Sequence, residues 1–195
     1  MIFTMLLSKN EAQALFDAYT ATLGANASAY AKRAHVALPD ASEPPVARDR
    51  HLTEAAEWFR DRLRTHVDEP RLPYPVWWNP ENESAEVRPA HLRHEIPFTS
   101  WQLELIDHFS AWYWLTVEAA LPHAKRVVRK ESRRNHQNQQ PTLEIAPKRF
   151  TTPVGVIYGW ALRLIDGEDE NTAYLTDHFR ETTAAAASKA VSRPH

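Results

Sequence analysis

The chain has 195 residues, 43% of them hydrophobic, with seven Trp, seven Phe and six Tyr, enough for one sizeable core. Its net charge is −2, it has no cysteine, and its only glycines are Gly24, Gly155, Gly159 and Gly167. Disulfides, thiolate metal sites and thiol nucleophiles are excluded, and with neither GxGxxG nor GxxxxGK[ST] the nucleotide-binding α/β folds are disfavoured.

In chain order, the first predicted helix runs from Ser8 to Gly24. Ser8 and Glu11 form a capping box, Ala12, Leu15, Phe16, Tyr19 and Leu23 recur at helical spacing, and Gly24 is placed as the stop. An Ala-rich second helix covers Ala27 to Ala37, and Asp40 to Asp49, with Pro44 and Pro45, reads as a loop. His51 to Val67 is the next helix, apolar along Leu52, Ala55, Ala56, Phe59 and Leu63. From Glu69 to Pro97 six prolines forbid a long helix, and Tyr74, Trp77 and Trp78 suggest a segment packed down across the helices.

Thr99 to Leu121 is the strongest helix in the pattern. Thr99 and Gln102 offer a capping box, and apolar residues cover nearly the whole circumference, as in a central buried helix. The Trp112-Tyr113-Trp114 run then belongs to the core. After Pro122 a basic helix is expected, ended by the polar tract Asn135 to Pro141. Thr142 to Ile145 could be a short extended piece. Thr152 caps a further helix with Pro153 in its first turn, closed by Gly167, on which Gly155 and Gly159 would let another helix approach. A last helix spans Thr172 to Ala190. The expected fold is all-α: a compact bundle of six or seven helices in a single domain, 1–195. Lobes 1–67 and 98–190 would then be joined by the Pro-rich segment 68–97.

The basic segment carries the functional argument. Lys125, Arg126, Arg129, Lys130, Arg133 and Arg134 fall within ten residues, opposed by Glu131, for about +5. The 181 residues outside His123–His136 hold 17 basic and 24 acidic groups, or −7. A mildly acidic chain has gathered its positive charge into one block, which points to an anionic partner. On a helix the six cations cover about half the circumference, in a strip of roughly 14 Å that matches about two or three phosphates. Arginine outnumbers lysine four to two, which favours bidentate phosphate contact. With no zinc finger or RRM signature the contact is expected to be electrostatic and sequence-tolerant. If three or four phosphates are engaged, affinity should fall roughly a hundredfold between 50 and 200 mM salt. Against this stand a plain solvated face, and neutralisation by the acidic residues Asp166, Glu168, Asp169, Glu170, Asp177 and Glu181.

Catalytic patterns are sparser. His91 and His94 have HxxH spacing, but Arg93 between them disfavours a cation. Arg60 to His66 and Arg129 to His136 fit the loose Arg-x(4–6)-His spacing of HEPN-type helical ribonucleases, with Arg60, Asp61 and His66 the better set. Glu54/Glu57 and Glu104/Asp107 are carboxylate pairs at the i,i+3 spacing commonplace on helix surfaces.

A helical, cysteine-free, glycine-poor chain with one arginine-rich helix, Lys125 to Arg134, resembles the small helical subunits of CRISPR effector complexes. The resemblance implies a non-catalytic subunit that holds guide RNA or target DNA by its backbone, beside other subunits and further copies of itself. No cofactor and no membrane span are expected, since no apolar run approaches ~20 residues. The start, MIFTMLLSKNEAQALF, lacks a basic leader and a small-residue cleavage site, so with no cysteine a cytoplasmic protein is expected. The alternatives are a HEPN-like ribonuclease and a protein-binding module, such as an immunity protein or inhibitor, whose basic face meets an acidic partner.

Overall fold

The computed structural model describes residues 7–65, 75–77, 98–130, 139–167 and 171–190. Among them are five helices and one small sheet: α1 (Lys9–Ala34), α2 (Pro45–Arg64), α3 (Ser100–Ala120), β1 (Lys125–Val128), β2 (Pro141–Ala146), β3 (Arg149–Thr151), α4 (Pro153–Ile165) and α5 (Ala173–Ala190). The fold is therefore mostly helical but not all-α, and it has fewer helices than the periodicity suggested.

Both capping boxes form. Ser8 and Glu11 exchange hydrogen bonds at the start of α1, as do Thr99 and Gln102 at α3. Gly24, however, does not stop α1, and the two expected helices are one of 26 residues. Tyr19, Leu23, Ala27, Tyr30 and Ala34 make a continuous buried stripe across that glycine, so packing overrides the roughly 1 kcal/mol propensity cost of Gly. The helix ends instead at His35, which takes the left-handed conformation at φ 55°. The expected 40–49 loop is also shorter than read. Pro45 starts α2, where a missing N–H costs nothing. Arg48, on the first turn, is buried and donates to the carbonyls of Asp40 and Glu43, fixing the loop before it.

The core is built around α3, which packs most extensively on α1 and then on α4. One ring from each of four helices forms an aromatic column. Tyr30 stacks on Phe109 at 4.6 Å, Phe109 meets Phe59 at 4.7 Å, and Phe59 stacks on Trp160 at 5.5 Å. Trp112, Tyr113 and Trp114 are buried, as expected. Trp77 of the Pro-rich segment is also in the core, 3% exposed, while Tyr74 and Trp78 lie outside the described residues. Buried residues from both sides of that segment share one hydrophobic cluster.

The sheet is antiparallel in the order β1-β2-β3. Pro122 ends the helical run, and the β-branched pair Val127-Val128 then favours a strand. Lys125 pairs with Glu144 and Val128 with Pro141, whose ring is tolerated at the first residue of β2. Leu143 and Ile145 turn into the helical core. The extended piece read at 142–145 is thus the central strand, and the helix expected from Lys125 is its edge partner.

Candidate functional site

A strand distributes the basic block differently from a helix, because its side chains alternate with period two. Lys125, Glu144 and Phe150 are directly opposed across the three strands and share one face. Arg126 points to the other face. There its guanidinium forks onto Glu118 of α3, Nε donating to Oε1 at 2.6 Å and Nη2 to Oε2 at 2.8 Å. These bonds hold the guanidinium pKa above its usual value. Of the four described cations, Arg126 is therefore neutralised, and by a carboxylate outside the acidic cluster suspected from sequence. Asp177 of that cluster pairs with Arg180 instead. Lys125 and Lys130 are exposed, Lys125 facing Glu144 across the ladder. Arg133 and Arg134 lie outside the described residues.

Arg129 carries the ladder one step past β1. Its N–H donates to Gln140 O at 3.0 Å, and its guanidinium sits over the Phe150 ring at 5.1 Å. This places it at the mouth of a cavity of about 400 Å³ between the sheet, α4 and α5. Phe150 and Thr151 of β3 form one wall, and Tyr174 and His178 of α5 form another. The floor is the face of α4 that carries Gly155 and Gly159. A Cβ at Gly159 would meet nothing within 4 Å, so these glycines open a space and do not seat a neighbouring helix as expected.

Arg163, one turn beyond Gly159, also lines the cavity, with its guanidinium over the Tyr174 ring at 4.3 Å. The same space thus has two arginine-over-ring pairs, Arg129 on Phe150 and Arg163 on Tyr174. Among the described residues that line it, none is acidic. Thr151 also lines it, but its hydroxyl is buried away from the open space and has no hydrogen-bond partner among the described residues. Tyr113 Oη shares a 2.9 Å hydrogen bond with His178 Nδ1, which fixes the ring. Burial pushes the His178 pKa down, against the pull of Glu181, and so favours the neutral imidazole. The walls therefore combine cationic edges, aromatic faces and neutral donors, a set suited to a planar anionic ligand.

Of the sequence candidates among the described residues, only Arg129 lines this cavity. Arg163, Thr151, Phe150, Tyr174 and His178 were missed. One signal was available: Gly155, Gly159 and Arg163 recur every four residues, the spacing of a single helix stripe.

The other expected sites are described only in part. Arg60 is tied to its neighbour Asp61 at 2.8 Å, and His66 and His136 lie outside the described residues, as do His91 and His94. Among the described residues no three His, Cys, Asp or Glu are grouped to hold a metal, and no helix is long and apolar enough to cross a membrane. Glu54 bonds outward to Arg50. Asp107 is not a surface acid. It lies 8% exposed in α3, accepting from Trp77 Nε1 at 2.6 Å and Asn26 Nδ2 at 2.8 Å. Burial raises its pKa to about 6. Glu104, one turn earlier, faces Arg33 at 3.6 Å and His108 at 3.7 Å. Burial, helped by Arg33, lowers the His108 pKa to about 4.

Compared with known proteins, the chain matches no family model, no curated protein and no solved structure.

Proposed function

We propose that this chain is a non-catalytic nucleic-acid-contacting protein, with Arg129 and Arg163 as its phosphate-binding residues and Lys125 and Lys130 as flanking contacts. The observation that carries this reading is that two guanidinium groups, Arg129 and Arg163, line one cavity together with the rings of Phe150, Tyr174 and His178. Phosphate suits such a site because the planar guanidinium offers two parallel N–H donors and keeps its charge at any working pH. The resemblance to CRISPR small subunits rested on an all-helical fold and an arginine-rich helix, and the sheet alters both. The reading stands on the cavity instead.

The contact is modest in size. With about three phosphates engaged on a single strand, log K should fall against log[salt] with a slope near −2, roughly twentyfold between 50 and 200 mM. Affinity on that scale suits a protein acting beside other subunits or other copies of itself, where each contact raises the effective concentration of the next. Fluorescence anisotropy with labelled single-stranded RNA, single-stranded DNA and duplex DNA at two salt concentrations tests the proposal. Salt-dependent binding that weakens in Arg129→Ala and Arg163→Ala supports it. Absence of binding, or binding indifferent to both variants, overturns it and leaves an acidic protein as the partner of the basic hairpin.

A further inference from the structure

We infer that the cavity takes the base of one unstacked nucleotide, so that the protein selects single strands over duplex. This deepens the reading above and rests on it. Exposed lysines on a strand edge would hold a duplex or a single strand equally well, since both present phosphates. The cavity differs in being recessed and walled by rings. At about 400 Å³ it is near the lower end of small-ligand sites, which run from ~300 to 1,000 Å³. That is room for a base and its sugar, and none for a paired helix.

Two features fit a base specifically. The first is the pair of platforms, Arg129 over Phe150 and Arg163 over Tyr174. Bases stack on aromatic rings and on guanidinium planes. The second is the bare stripe of Gly155 and Gly159, where missing side chains let a flat ligand lie close against α4. A duplex could reach these groups only by extruding a nucleotide, at the cost of its pairing and stacking.

The experiment compares four probes of one length and mixed sequence by fluorescence anisotropy with the full chain at fixed salt. They are single-stranded RNA, single-stranded DNA, duplex DNA, and an abasic version of whichever single strand binds more tightly. The inference predicts that the intact single strand binds about tenfold or more tightly than the duplex. It also predicts that the abasic strand, with the same phosphates, loses about tenfold. Because the abasic comparison uses the unaltered protein, it does not depend on any variant folding. Phe150→Leu and Tyr174→Leu, checked by circular dichroism, should reduce the single-strand preference. Equal, salt-dependent binding of intact, abasic and duplex probes would overturn base insertion and leave backbone contact standing. No binding of any probe would remove both.

Discussion

Two buried titratable groups one residue apart on α3 should pull the stability of this protein in opposite directions with pH. Asp107 has a folded pKa of about 6 against an ordinary 3.8. Its native state therefore prefers the protonated acid, and this contribution is complete below about pH 4 and lost as pH rises through 6. At about 1.4 kcal/mol for each pKa unit, the loss is about 3 kcal/mol. His108 has a folded pKa of about 4 against 6.5. Its native state prefers the neutral ring, so its contribution is complete above about pH 6.5 and lost as pH falls through 4, again about 3 kcal/mol. Among the described residues, the charged and titratable groups that act on them are Glu104 on the same helix and Arg33 and Tyr19 on α1. In the unaltered protein the two slopes oppose each other between pH 4 and 6.5, and single substitutions separate them. Asp107→Asn keeps an acceptor for Trp77 and removes the buried charge. Relative to the parent, it should become less stable by up to about 3 kcal/mol as pH falls from 6.5 to 4. His108→Gln should show the reverse trend. Urea denaturation of the three proteins at half-unit pH steps reads both, and taking differences from the parent cancels the surface carboxylates. Parallel stability profiles for parent and Asp107→Asn would refute the reasoning.

Phe109→Ala, which removes the middle ring of the four-helix aromatic column, should cost ~3–5 kcal/mol in urea denaturation. Thr99→Ala breaks the α3 capping box and should cost about 1 kcal/mol, read as a lowered Tm. Gly159→Ala should raise stability by up to about 1 kcal/mol through helix propensity, since its Cβ meets no neighbour. Gly159→Glu should keep the fold by circular dichroism and lose nucleic-acid binding, because it places a carboxylate beside the two arginines.

The helices with a dense apolar stripe were legible in the sequence, and so were both capping boxes. Periodicity of 3.6 and an Ser/Thr-x-x-Glu/Gln start are local signals that packing then reinforces. Gly24 misled because one glycine only weakens a helix, and the stripe from Tyr19 to Ala34 continues through it. The basic block misled for a different reason. Lys125-Arg126-Val127-Val128-Arg129 satisfies helical and strand periodicities alike over so short a span. What decides it is the pairing of Val128 with Pro141 and Lys125 with Glu144, a long-range ladder invisible to local pattern. The alternation it imposes sends Arg126 to Glu118 and Arg129 to Phe150, and so divides a patch that a helix would have kept whole. The cavity was harder still. Its two arginines are 34 positions apart and its rings come from separate elements, so only the Gly155-Gly159-Arg163 spacing hinted at it.

The most direct test of phosphate binding at this cavity is the salt dependence of single-strand affinity for the parent and the Arg129→Ala/Arg163→Ala double variant. For the parent, log K against log[salt] should have a slope near −2, and in the variant the slope should shrink by about 1.4, or about 0.7 for each phosphate contact removed. A variant that binds with the parent's slope and affinity would contradict the account.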